Sequence, residues 1–197
     1  MTADDALAQF LAAQRSFTER VHAIQAGQWG CGTPDAGWAV ADLVGHLVDE
    51  HRWAGALLDG LGLDAARAAV DARYRPGAGD RGAAGLGSQW EEAAAASARA
   101  FSAPGALDGS VQITRGRAPA GEYLAEMTLD LIVHSWDLGT AIGYSGPLPS
   151  DVVQAVYAQA ADIVARTPSG MFRGPVGVPA GAPVISRLVA LTGRDPR

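Results

Sequence analysis

Asp130 and His134 stand four residues apart in the segment Gly121 to Gly143, GEYLAEMTLDLIVHSWDLGTAIG. On a helix that spacing lays both side chains over one face, so a carboxylate and an imidazole can grip the same ion. The face is apolar, with Met127, Leu131 and Leu138 on it. An ionised carboxylate and an imidazole are costly to bury there without partners, and a divalent cation satisfies both. The pair calls for a third ligand. His46 supplies one: it falls on the inward face of a second helical pattern, from Trp38 to about Leu61, with Ala39, Leu43, Leu47, Trp53 and Leu57. Antiparallel packing could bring the two helices together. Two imidazoles and one carboxylate leave a coordination position for water or substrate, which is the pattern of a catalytic or ligand-binding zinc. Nickel, iron or manganese would accept the same donors. The spacing equally suits an outward ion pair at Asp130 beside a satisfied core histidine at His134.

Two further carboxylates sit close in sequence. Asp137 follows His134 by three residues and Glu50 follows His46 by four, so each could orient its histidine from behind the metal, or be an ordinary solvated charge. His22 and His51 have no acidic or histidine partner at ligand spacing on an inward face, and His51 is rotated away from His46; both stay outside the expected site. Cys31 stands alone, so an internal disulfide and a cysteine cage are excluded, and a small buried side chain is favoured over a nucleophile. No nucleophile elbow, phosphate loop or dinucleotide motif is present.

The elements that must position these groups read as helices. Leu7, Phe10, Leu11, Phe17, Val21 and Ile24 form a stripe on a first helix, with Thr2 and Asp5 as a capping box. Gly27 to Gly37 is a breaker-rich loop, and residues 60–87 read as a helix end followed by a mobile connection with room for a substrate lid. A helix is expected from Ser88 to Phe101, then a short hairpin in LDGSVQITRG, then the central helix 121–143. Ser150 is placed as the cap of a helix to about Arg166, and Val184 to Thr192 as a last turn or two. Strands do not alternate with helices. These patterns predict an all-α fold, a four-helix bundle with an extra C-terminal helix and at most a short hairpin. One domain is expected over 1–197, with its core in about 1–166 and a tail over 167–197.

Composition narrows the function classes. At 197 residues, 48% hydrophobic and 18% charged, the chain suits one folded domain. A net charge of −6 without basic clusters argues against nucleic-acid partners. No run approaches the roughly 20 apolar residues of a membrane span, and MTADDALAQF is no leader, so a cytoplasmic protein is expected. A homodimer through the outer helix faces is possible, although no heptad seam fixes it.

The segments TPDAGWAVADLVGHLVDEH and LDLIVHSWDLGTAIG resemble the DinB-like superfamily, in particular its actinobacterial metal-binding branch related to mycothiol-dependent maleylpyruvate isomerase. The closing LVALTGRDP looks like the end of short, stand-alone members. The resemblance implies a DinB-like bundle whose metal is held by His46, Asp130 and His134. It implies a thiol transferase or isomerase-like activity in which the metal takes the sulfur of mycothiol or a related thiol that attacks an electrophile. The isomerase's separate C-terminal α/β domain has no room in this chain, which argues against maleylpyruvate isomerisation itself. A non-enzymatic metal or small-molecule binder in stress response or detoxification, and a metal-dependent hydrolase, are the alternatives.

Overall fold

Thr2 begins the first helix, α1 (Ala3–His22), in the way its side chain allows. The Asp5 N–H donates to Thr2 Oγ1 at 3.1 Å while the Thr2 N–H donates to Asp5 Oδ2 at 2.9 Å, so two otherwise unpaired donors are met reciprocally. The structure is a computed structural model that describes residues 2–74, 83–167 and 172–197. The remaining helices are α2 (Val40–Leu58), α3 (Leu63–Arg73), α4 (Ala83–Phe101), α5 (Ala120–Ile142), α6 (Ser150–Arg166) and α7 (Val184–Leu191).

α2 packs chiefly on α4 and α1 on α5, and contacts of α1 with α4 and of α2 with α5 close the four into a bundle. α1 turns Phe10, Ala13, Phe17 and Val21 inward, at the three- and four-residue steps that keep one face of a helix apolar. Trp90 on α4 meets Phe17 edge-on at 4.7 Å, and Phe101 meets Phe10 at 5.0 Å. The Trp90 indole N–H is satisfied by Thr18 Oγ1 at 2.9 Å. α5 is buried on almost every side and is the centre of the molecule. It ends at Gly143, whose left-handed φ of +71° suits a residue without a Cβ. α6 lies against α5, and α7 packs on α6 with Leu188, Val189 and Ala190 buried.

Among the described residues the strands are β1 (Ser110–Ile113) and β2 (Gly116–Pro119), an antiparallel pair with Ser110 opposite Pro119 and Ile113 opposite Gly116. This is the short hairpin expected in LDGSVQITRG, and it runs straight into α5. The all-α bundle with its added C-terminal helix is what the structure shows. No helix among the described residues is long and apolar enough to cross a membrane.

Three local expectations need correction. Residues 60–87 contain α3, and α4 starts at Ala83 rather than Ser88. The glycines drew that reading toward a loop, whereas the run LDAARAAVDAR has the alanine-rich propensity of a helix. The lid expected there falls partly on residues 75–82, outside the described residues. Ser150 is the first residue of α6 and not its cap; Pro149 holds the cap position and no side-chain bond is made there. Trp38 precedes α2, which starts at Val40, with the Asp42 carboxylate accepting from the Ala39 N–H at 2.9 Å.

His51 is part of the core, facing α1 and α4. Its ring stacks on Phe10 at 5.8 Å and meets Trp90 edge-on at 4.8 Å, and its Nδ1 is hydrogen-bonded with Ser97 Oγ at 2.6 Å. Burial penalises the charged form and pushes its pKa from 6.5 down to about 3. Between those values the unfolded chain takes up a proton that the folded chain refuses, so stability falls as pH drops through that window. Urea midpoints measured at about pH 7 and about pH 5 should therefore fall with acidification, and His51→Phe should reduce the fall. Midpoints that do not move in the unsubstituted protein would contradict this.

Candidate functional site

α2 delivers His46 and α5 delivers both Asp130 and His134 to the seam where the two helices face each other. His46 Nε2 lies 3.2 Å from Asp130 Oδ2, and His134 Nε2 lies 3.3 Å from Asp130 Oδ1. The donor atoms of all three residues are within 4.8 Å of one another. Ligand atoms about 2.0–2.2 Å from a tetrahedral ion stand roughly 3.2–3.6 Å apart; each histidine nitrogen is within that range of one Asp130 oxygen, and all three groups are close enough together that they could hold one cation. The donor set itself, two imidazoles and a carboxylate, is one that zinc and its neighbours accept.

Burial opposes charge on His46, but the Asp130 carboxylate outweighs it and His46 ends above its ordinary value. The same contest on His134 is won by the charge and hydrogen bond of Asp130, then by Asp137, and carries it to about 9. Burial alone would raise Asp130; the two imidazoles hold it well below the usual carboxylate range.

The far nitrogen of His134 is held separately. Nδ1 lies 3.0 Å from Asp137 Oδ2, and Asp137 is fully buried. Asp137 in turn accepts from Arg194 Nη2 at 3.0 Å, and the same Nη2 donates to Asp35 at 2.6 Å. Asp35, His134 and Asp137 could by spacing form a second cation group. The Arg194 guanidinium already supplies the positive charge there, and Nδ1 is committed to Asp137, so the ion-competent side of the ring is Nε2.

Trp38 closes the site from one side. Its ring stacks on His134, 5.7 Å between centroids and 10° between planes, and it meets His46 edge-on at 5.0 Å. The loop before α2 is built to hold it there: the Thr33 N–H donates to the Trp38 carbonyl at 2.9 Å, and the Val40 N–H donates to the Cys31 carbonyl at 2.9 Å. Cys31 itself is half-buried against the core and belongs to neither ligand group.

On another side His46 and Asp130 open into a cavity of about 620 Å³. Glu50, Trp53, Arg115, Tyr123 and Phe172 contribute to its wall. Glu50 makes no hydrogen bond to His46; burial raises its pKa, and it acts on His46 only through space. Tyr123 Oη is buried and has no partner among the described residues. A larger groove of about 940 Å³ lies between the end of α5, α6 and α7 and touches none of the three ligand candidates. His22 sits apart on the surface, paired with Glu91 at 2.8 Å.

Sequence reasoning brought forward His46, Asp130, His134, Asp137 and Glu50, and it missed Trp38, Asp35 and Arg194 as parts of the site. Trp38 was absorbed into the helix that it precedes. Arg194 lies 57 residues from Asp137 and 159 from Asp35, a separation that no periodicity reports. Its one signal was the closing motif LTGRDP.

In the metal-free protein the His134 contribution to stability is present below 6.5 and is lost as pH rises through about 9. A cation taken up by these three groups would have to displace that proton, so any zinc affinity of the site should rise with pH up to about 9. Calorimetry in buffers of different ionisation enthalpy should show at least one proton released near neutral pH. An affinity independent of pH, with no proton released, would contradict the geometry.

The family model described as the mycothiol maleylpyruvate isomerase N-terminal domain matches residues 10–139. Uncharacterized proteins of Mycobacterium tuberculosis, from strains CDC 1551 / Oshkosh and H37Rv, are each 27% identical over 188 residues, covering 94% of this chain and 95% of theirs. The crystal structure of the mycothiol-dependent maleylpyruvate isomerase matches with a TM-score of 0.62 at 15% identity, over 82% of this chain and 70% of that one. A histidine-to-alanine mutant of the same enzyme matches with a TM-score of 0.61 at 13% identity. The matched span runs from the inward face of α1 to the last turn of α5 and so takes in all three ligand candidates. The chain belongs to the mycothiol maleylpyruvate isomerase N-terminal domain family.

Proposed function

We propose that this protein is a divalent-metal-dependent enzyme that joins a low-molecular-weight thiol of the mycothiol type to an electrophile, as an S-transferase or an isomerase-like enzyme. His46 Nε2, Asp130 and His134 Nε2 would hold the metal, zinc first among the candidates. The observation that carries the reading is the juxtaposition of three donors within 4.8 Å of one another with a cavity of about 620 Å³. The mycothiol-dependent isomerase of like fold points to the thiol.

A bound divalent cation would favour the thiolate, the nucleophilic form, at neutral pH. The chain's own groups do the rest. Asp137 keeps the His134 ring turned so that Nε2 faces His46 and Asp130. Trp38 excludes water from the opposite face of that ring. Glu50, in the cavity wall and free of hydrogen bonds to His46, is placed to take the thiol proton on its carboxylate. Trp53, Leu57 and Phe172 give the electrophile an apolar surface, and the Tyr123 hydroxyl, which has no partner among the described residues, offers it a donor.

Zinc-loaded protein should consume mycothiol in the presence of a bimane or dinitrobenzene electrophile, and His134→Ala should reduce the rate to the uncatalysed background. Turnover of the electrophile that does not depend on added thiol, or a rate unaffected by His134→Ala, would contradict the proposal.

A further inference from the structure

The chain's final turn has a built geometry that the three ligand candidates and the cavity do not account for. Thr192 closes α7 by donating its hydroxyl to the Val189 carbonyl at 2.9 Å. Gly193 then turns left-handed, φ +86°, and a Cβ there would come within 2.4 Å of Arg173 Cβ and 3.0 Å of the Arg173 backbone. Glycine is required twice, for the turn and for the space. The turn sends Arg194 inward, where it is only 6% exposed.

All the guanidinium nitrogens are then used. Nη1 donates to the Thr192 carbonyl at 3.1 Å, Nε approaches Asp137 Oδ2 at 3.3 Å, and Nη2 is shared between Asp137 and Asp35. These two carboxylates govern different sides of one ring. Asp137 holds the Nδ1 edge of His134, and Asp35 sits in the loop whose Trp38 covers the face of His134. A fully buried Asp137 with one histidine as its partner would be free to rotate; the fork of Arg194 fixes its oxygens.

We propose that Arg194 is a positioning residue of the metal site: by clamping Asp137 and Asp35 together it sets the orientation in which His134 presents Nε2. The inference rests on the metal reading above. The T-G-R sequence is then one device, in which threonine ends the helix, glycine makes the turn and arginine reaches the ligand's support.

Zinc dissociation constants measured by competition with a chromophoric chelator test it, together with the visible spectrum of the cobalt-loaded protein and helicity by circular dichroism. Arg194→Ala should weaken zinc binding about 10- to 100-fold, the usual effect of removing an outer support, and alter the cobalt bands. Arg194→Lys should fall between it and the unsubstituted protein, because an ammonium can pair with Asp137 but cannot span Asp35 and the Thr192 carbonyl as well. Arg197→Ala, which removes an exposed arginine paired with Asp195, should bind as the unsubstituted protein does. Wild-type zinc affinity in a folded Arg194→Ala overturns the inference; where alanine costs helicity, wild-type affinity with an unchanged cobalt spectrum in Arg194→Lys overturns it. An unsubstituted protein that binds no zinc overturns the metal reading, and this one with it.

Discussion

A carboxylate set between two imidazoles inside an apolar bundle governs the rest of this molecule. Asp130 sits at 3.2 and 3.3 Å from nitrogens carried by two different helices, and each of the three groups would be costly to bury alone. Together they satisfy one another, since the carboxylate raises both histidines and the two imidazoles lower the carboxylate; in the proposed function a cation would stand among the same three groups. Under that proposal one positive partner would replace another at the seam of α2 and α5 without rebuilding the bundle.

The scaffold is arranged to leave that seam partly open. α2 is committed mainly to α4 and α1 mainly to α5, and aromatic contacts of Phe10 and Phe17 on α1 with Phe101 and Trp90 on α4 tie the two pairs together. α2 and α5 touch less closely, so room remains for a cavity beside His46 and Asp130. Trp38 from the preceding loop seals one side, and Asp137 with Arg194 stiffens the rear. The three groups are thus braced behind and open in front, an arrangement that would suit the proposed metal chemistry on a small molecule.

Much of this was legible in the sequence because it is local. Asp130 and His134 share a face by spacing alone, His46 falls on the inward stripe of α2, and the breadth of apolar residues in 121–143 marks α5 as central. Asp137 was reachable for the same reason, three residues from its histidine. What escaped reading depends on tertiary placement. Trp38 looks like a helical residue until Asp42 is seen to cap α2 after it. Arg194 meets its partners only because α7 folds back on the bundle, and α3 was hidden by glycines flanking a good helix-forming run. His51, which has no ligand-spaced partner and is rotated away from His46, lies in the aromatic core beside Phe10 and Trp90.

The central claim is that His46, Asp130 and His134 form one coordination sphere with a position left for a thiol. X-ray absorption at the zinc edge tests it most directly, on loaded protein before and after addition of mycothiol. The account predicts a nitrogen and oxygen shell at about 2.0–2.2 Å carrying the signature of two imidazoles, joined on addition of the thiol by one sulfur at about 2.3 Å. A first shell without imidazoles, or one that the thiol leaves unchanged, would contradict it.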